Sequence, residues 1–249
     1  MCALLLSLAR PLVQSCVKLK TGIWDRDASS GLELQGKNVA ILGSTTFCAE
    51  VAKRLTAFGV KVLCCQDQFI RSPVQAKIAS PPVSSTKTNA AVNNASRTLL
   101  RQSSLKSTDS LPPGACLLPV EELWSTADFV CIHMSYDKLR IQFGQETLRK
   151  LKRGVRLICC GHLGILQEPD LLDALNTGQL AYLALDLDES TAGRSRKLIE
   201  HPNVICTPLL AEATVESQMR LMEALLNQIQ LLVQGKIPED CLNPQVLAE

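Results

Sequence analysis

Short apolar runs alternate along this chain with segments whose apolar residues recur every three or four positions. The runs KNVAIL (37–42), VKVLCC (60–65), FVCIH (129–133), VRLICC (155–160), AYLALDL (181–187) and NVICTP (203–208) are brief and apolar on both faces, which predicts buried strands. Between them, CAEVAKRLTAFG (48–59), VEELWSTA (120–127), QETLRKLK (145–152) and PDLLDALNTG (169–178) read as helices, the last ending on Gly178, where a left-handed cap is cheap. VESQMRLMEALLNQIQLLVQG (215–235) is a long closing helix, and Leu4, Leu8 and Leu12 mark an amphipathic helix at the start. Strands alternating with helices predict an α/β fold, a doubly wound parallel sheet covered on both sides.

One stretch breaks the alternation. SPVQAKIASPPVSSTKTNAAVNNASRTLLRQSSLKSTDSLPPG is rich in Ser, Thr, Asn and Pro and has no sustained period. It is expected to be a disordered insertion over 69–115, between the first part of the domain (1–68) and its remainder (116–235), with a tail at 236–249. Formal charge sharpens the division. Residues 70–113 hold six Lys or Arg and one Asp, so they carry +5 of a total of +2 and the remainder sums to −3. The folded part therefore offers no basic face, and no nucleic-acid partner is expected.

Composition alters the picture in two further places. The chain of 249 residues is 46% hydrophobic but 4% aromatic, so its core is expected to be Leu, Val, Ala and Cys. Its eleven cysteines sit largely inside strand-like runs, with no C-x-x-C pair and no His pair at ligand spacing. Reduced core thiols, no disulfide framework and no metal are the expectation. No stretch is long enough to cross a bilayer, and the N-terminus lacks the basic start of a signal peptide, so no membrane association and a cytoplasmic location are expected.

The candidate chemistry lies in VAILGSTTFCAEVAKRL (39–55): a strand, a turn and a helix. A dinucleotide site at such a turn uses G-x-G-x-x-G, for the sharp turn, for backbone approach to the pyrophosphate, and for close helix–strand packing. Here those positions read Gly43, Thr45 and Cys48. Thr45 puts a β-branched side chain where phosphate oxygens would approach, while Cys48 is small enough for the packing position. The helix N-terminus still offers amides and a positive dipole. At the end of the second strand, Gln66 stands where an acid would accept bonds from a ribose.

Taken in order, KTGIWDR, LELQGKNVAILG, AFGVKVL, LPVEELWSTADFVCIH, LKRGVRLICC, LLDALNTGQLAYLALDLDES, LIEHPNVICTP and LVQGK resemble the cofactor domain of the D-isomer-specific 2-hydroxyacid dehydrogenases. The C-terminal-binding-protein corepressors share that fold and are a more distant resemblance, suggested by GKIPEDCLN. The resemblance implies a Rossmann-like domain, NAD as cofactor, weakly held or lost, and Gly43, Thr45, Phe47, Cys48, Gln66, His133 and Asp186 along its cleft. It also implies that the family's substrate domain is largely missing. The family clamps a substrate carboxylate with Arg, moves a proton with His and supports that His with Glu. The matching positions here hold His162, Leu209 and Thr191, so the catalytic set is not intact.

Three functions are compatible with these residues. The first is a binding, regulatory or dimerising protein that has lost hydride transfer; the resemblance implies a homodimer, or a heterodimer with a full-length relative. The second is an NAD-dependent 2-hydroxyacid oxidoreductase completed by a missing segment or a partner chain. The third is a corepressor-like interaction protein. His133 and His162 can equally be structural or rim residues, His201 is expected to cap a turn, and Asp186 can equally be a hydrogen-bonding strand terminus.

Overall fold

The computed structural model describes residues 1–27, 30–43, 45–65, 115–133, 142–160, 163–189, 193, 195–238 and 241. The chain divides into two compact units, Met1–Thr207 and Pro208–Glu249. The insertion expected at 69–115 lies outside the described residues except for Ala115.

The first unit is built on a seven-stranded parallel sheet in the order β3-β2-β1-β4-β5-β6-β7. Its strands are β1 (Asn38–Gly43), β2 (Lys61–Cys65), β3 (Ala115–Leu117), β4 (Phe129–His133), β5 (Val155–Cys159), β6 (Leu180–Asp186) and β7 (Val204–Thr207). The helices are α1 (Cys2–Ala9), α2 (Leu12–Lys20), α3 (Thr45–Leu55), α4 (Val120–Thr126), α5 (Gln145–Lys150), α6 (Glu168–Asn176) and α7 (Arg196–Ile199). Strand β3 was not expected from the sequence, since its three residues carry no period.

The central strands feed two cores, because successive side chains point to opposite faces. Ala40 and Leu42 of β1, with Val130 and Ile132 of β4, pack beneath Leu123 and Trp124 of α4 and Leu171 and Leu175 of α6. Val39 and Ile41, with Phe129 and Cys131, pack beneath Leu5 and Leu8 of α1 and Val51, Ala52 and Leu55 of α3. Cys48, Cys64, Cys131 and Cys159 are buried, as small apolar residues would be. After α6 the chain turns on Gly178 at φ +71°, the left-handed conformation expected there.

The N-terminal segment departs from the expectation of one helix through Leu12. It forms two, because Pro11 has no amide hydrogen and forces the residue before it out of the helical region; Arg10 sits at φ −119°, ψ 112°. Helix α1 is buried on the sheet, whereas α2 buries none of its residues and Leu12 is exposed.

The amino edge of the sheet is tied by Asp128. Its carboxylate accepts from the Asn38 amide at 2.9 Å and from Lys152 Nζ at 2.6 Å, while its own carbonyl accepts from the Arg156 amide at 3.0 Å. One residue thus joins the starts of β1, β4 and β5. Although burial raises its pKa, the Asn38 amide and the Lys152 ammonium hold the carboxyl below its ordinary value.

The second unit contains α8 (Val215–Val233), whose N-cap Thr214 accepts from the Ser217 amide at 3.1 Å. No single helix among the described residues is long and apolar enough to cross a membrane.

Candidate functional site

In an open doubly wound sheet, ligands bind outside the carboxyl ends of the strands, where the strand order reverses. Here that point lies between β1 and β4, whose last residues, Gly43 and His133, are register partners. Helix α3 opens at Thr45, so its free amides and positive end lie beside Gly43. The thiol of Cys48 is buried, with Sγ 3.6 Å from the Gly43 carbonyl oxygen and 3.8 Å from that of Ile41. A small side chain there lets helix and strand approach, the task of the third glycine in the motif.

Phe47, in the first turn of α3, lies flat on His133; the ring centroids are 3.8 Å apart and the planes 8° apart. Although the residue is exposed at its strand end, partial loss of solvent around the ring lowers the pKa of His133 below the ordinary imidazole value, which favours the neutral ring. Further along the same edge, Asp186 ends β6 with 7% exposure and accepts from Thr207 Oγ1 at 2.6 Å, across a registered pair of strand ends. Cys160, just past β5, sits half-buried; burial first, then the Asp186 charge, pushes its thiol pKa up. A thiol so placed is a poor nucleophile.

The structure therefore gathers Gly43, Phe47, Cys48, His133 and Asp186 along the carboxyl edge of one sheet. Thr45 opens α3 at that edge. Gln66, His162 and Thr191 lie outside the described residues. Leu209 belongs to the second unit, where it is exposed and adopts φ 48°, unusual for a branched side chain. Sequence reasoning missed the Phe47–His133 stack and the Asp186–Thr207 bond, since each joins residues far apart in the chain. His201 does cap a turn: its Nδ1 accepts from the Asn203 amide at 3.1 Å. Among the described residues, no cluster of three or more His, Cys, Asp or Glu could hold a metal ion. A groove of about 570 Å³ containing Arg10 and Arg26 shares no residue with this edge.

The comparisons with known proteins agree with this geometry. The profile of the D-isomer specific 2-hydroxyacid dehydrogenase, NAD binding domain, matches residues 2–96 and 95–211. The chain belongs to that family. D-3-phosphoglycerate dehydrogenase from Rattus norvegicus is 32% identical over 247 residues, covering 99% of this chain and 40% of the relative. The enzyme of that name from Bacillus subtilis is 32% identical over 234 residues, covering 94% and 38%. The chain thus spans about two fifths of the length of these relatives. Among solved structures, the apo-structure of D-lactate dehydrogenase from Escherichia coli has TM-score 0.71 at 16% identity, covering 96% of this chain and 65% of that one. D-lactate dehydrogenase from Aquifex aeolicus, complexed with NAD and lactic acid, has TM-score 0.68 at 21% identity, covering 94% and 64%. These likenesses show the fold.

The frame fits the family's cofactor at three points. Gly43 ends β1 beside the opening of α3, α3 presents its N-terminus, and Cys48 permits the close packing that brings them together.

Proposed function

We propose that this chain is a phosphoglycerate-dehydrogenase-like NAD-binding protein that has lost hydride transfer and acts in the cytoplasm as a dimerising, regulatory module. The observation that carries this reading is Leu209. An aliphatic side chain stands at the family's acid/base position, and it has no proton to give or take at any pH. Losing a positioned general acid/base costs about 10²–10⁴ in rate. His162 and Thr191 compound that loss, because imidazole lacks the planar fork that grips a carboxylate and a hydroxyl cannot stabilise an imidazolium. When bound, NAD would supply a hydride acceptor. This chain's own contribution is to hold it, with Gly43 and the α3 amides toward the pyrophosphate and buried Asp186 toward the opposite end of the edge.

Dimerisation is supported by α2. Leu12, Val13, Val17, Leu19, Ile23 and Trp24 are exposed together, Trp24 at 81%, on and just after a helix that buries nothing. Exposed apolar side chains gathered on one short segment mark an interaction site, and Trp is prominent among residues that anchor interfaces. A second copy of this chain is the proposed occupant, and a full-length relative would use the same face.

The test is a melting curve with and without NADH, followed by a steady-state assay with D-3-phosphoglycerate and NAD. Ligand a hundredfold above its dissociation constant stabilises by about 2.7 kcal/mol. Stabilisation without turnover is expected; turnover within about a hundredfold of an ordinary dehydrogenase overturns the reading.

A further inference from the structure

The crevice between β1 and β4 is already occupied at its mouth by the chain's own side chains. A helical side chain leans back toward the helix N-terminus, so Phe47, early in α3, reaches toward the end of β1. A Cβ placed on Gly43 would lie 3.1 Å from Phe47 Cδ1 and 3.2 Å from the His133 carbonyl oxygen. The phenyl ring therefore rests against Gly43, where an added Cβ would crowd it. From there it crosses to β4 and covers the imidazole, with ring centroids 3.8 Å apart.

We propose that the Phe47–His133 stack is a stopper over the switch-point crevice, which a dinucleotide opens by displacing the phenyl ring from the imidazole. This rests on the proposed reading of that edge as an NAD site. The parts that must stay fixed are buried: Cys48 beneath the turn, and Cys131 and Ile132 in β4. The parts that must move are not, for Phe47 is half-buried and His133 is exposed. Closure comes from a preference that is real but small. Stacked aromatic pairs gain enough to favour the closed form by about twofold to tenfold, and apparent affinity falls by the fraction of molecules that are open.

The experiment titrates NADH into the wild-type chain, Phe47→Ala and His133→Asn, following nicotinamide fluorescence, and records the His133 ring protons by NMR. In the free wild type those protons are expected upfield, shifted by the ring current of Phe47; saturation with NADH returns them toward ordinary positions. Both variants are expected to bind NADH about twofold to tenfold more tightly than the wild type. Equal or weaker binding by both variants, or His133 signals unmoved at saturation, overturns the stopper while leaving the NAD reading standing. Absence of NADH binding by all three proteins overturns both. Should Phe47→Ala fail to fold, His133→Asn and the wild-type NMR titration decide, since neither disturbs the core.

Discussion

Asp128 carries more of the architecture than its place after a helix suggests. Its carboxylate holds the Asn38 amide and the Lys152 ammonium, and so sets the starts of two strands. Asp128→Ala removes both acceptors, and urea unfolding is expected to register a loss of about 1.5–3 kcal/mol. Because its folded pKa is lowered, this contribution is fully present above the ordinary carboxyl value of about 3.9 and is lost as pH falls through the lower folded value. An unfolding series at descending pH checks this, and Asp128→Ala should flatten the acid limb. His133 also has a lowered pKa, but it is a base, charged when protonated, so its window lies higher. The unfolded chain takes up the proton first, at about pH 6.5, and stability falls with pH from there down to the folded value, then levels. His133→Asn should remove that slope. Neither residue's role was legible in the sequence, because both depend on partners brought in by strand register.

Among the elements, the last turn of α1 is tied to the sheet by one polar side chain, beside the buried Leu5 and Leu8. Phe129, Arg156 and Tyr182 are register neighbours on β4, β5 and β6. The Arg156 guanidinium lies 5.6 Å from the Phe129 ring centroid and 5.4 Å from that of Tyr182, while its Nε donates to the Leu8 carbonyl at 3.1 Å. Arg156→Leu should release the last turn of α1 and raise amide exchange there. Arg156→Lys should restore little, lacking a planar group to lie against the rings. If the exchange of α1 is unchanged in both variants, Arg156 does not hold the helix. The strands were legible, because short runs apolar on both faces suit a strand covered on each side. The break in the N-terminal helix was not inferred, because the spacing of Leu4, Leu8 and Leu12 suits one helix while Pro11 ends it. Strand β3 escaped notice since three residues are too few to carry a pattern.

For the whole molecule, the fold was legible from alternating elements, and the family from many ordered segments matched together. Of the site, the edge was legible, through Gly43, Cys48 and Asp186; the closed aromatic pair across it was not, being a contact between α3 and β4. The exposed face of α2 predicts self-association. Light scattering should find a dimer, and Trp24→Asp together with Val17→Asp should give a folded monomer; if these changes leave the dimer intact, another face makes it. In the proposed reading, this scaffold has kept a place for the cofactor and lost the means to use it. A single-turnover reaction, with protein in excess over NAD and D-3-phosphoglycerate saturating, tests that most directly by following reduced nicotinamide in parallel with NADH binding. Nicotinamide that is bound and stays oxidised is the expected result; a burst of reduction matching the amount of protein would mean that hydride transfer survives.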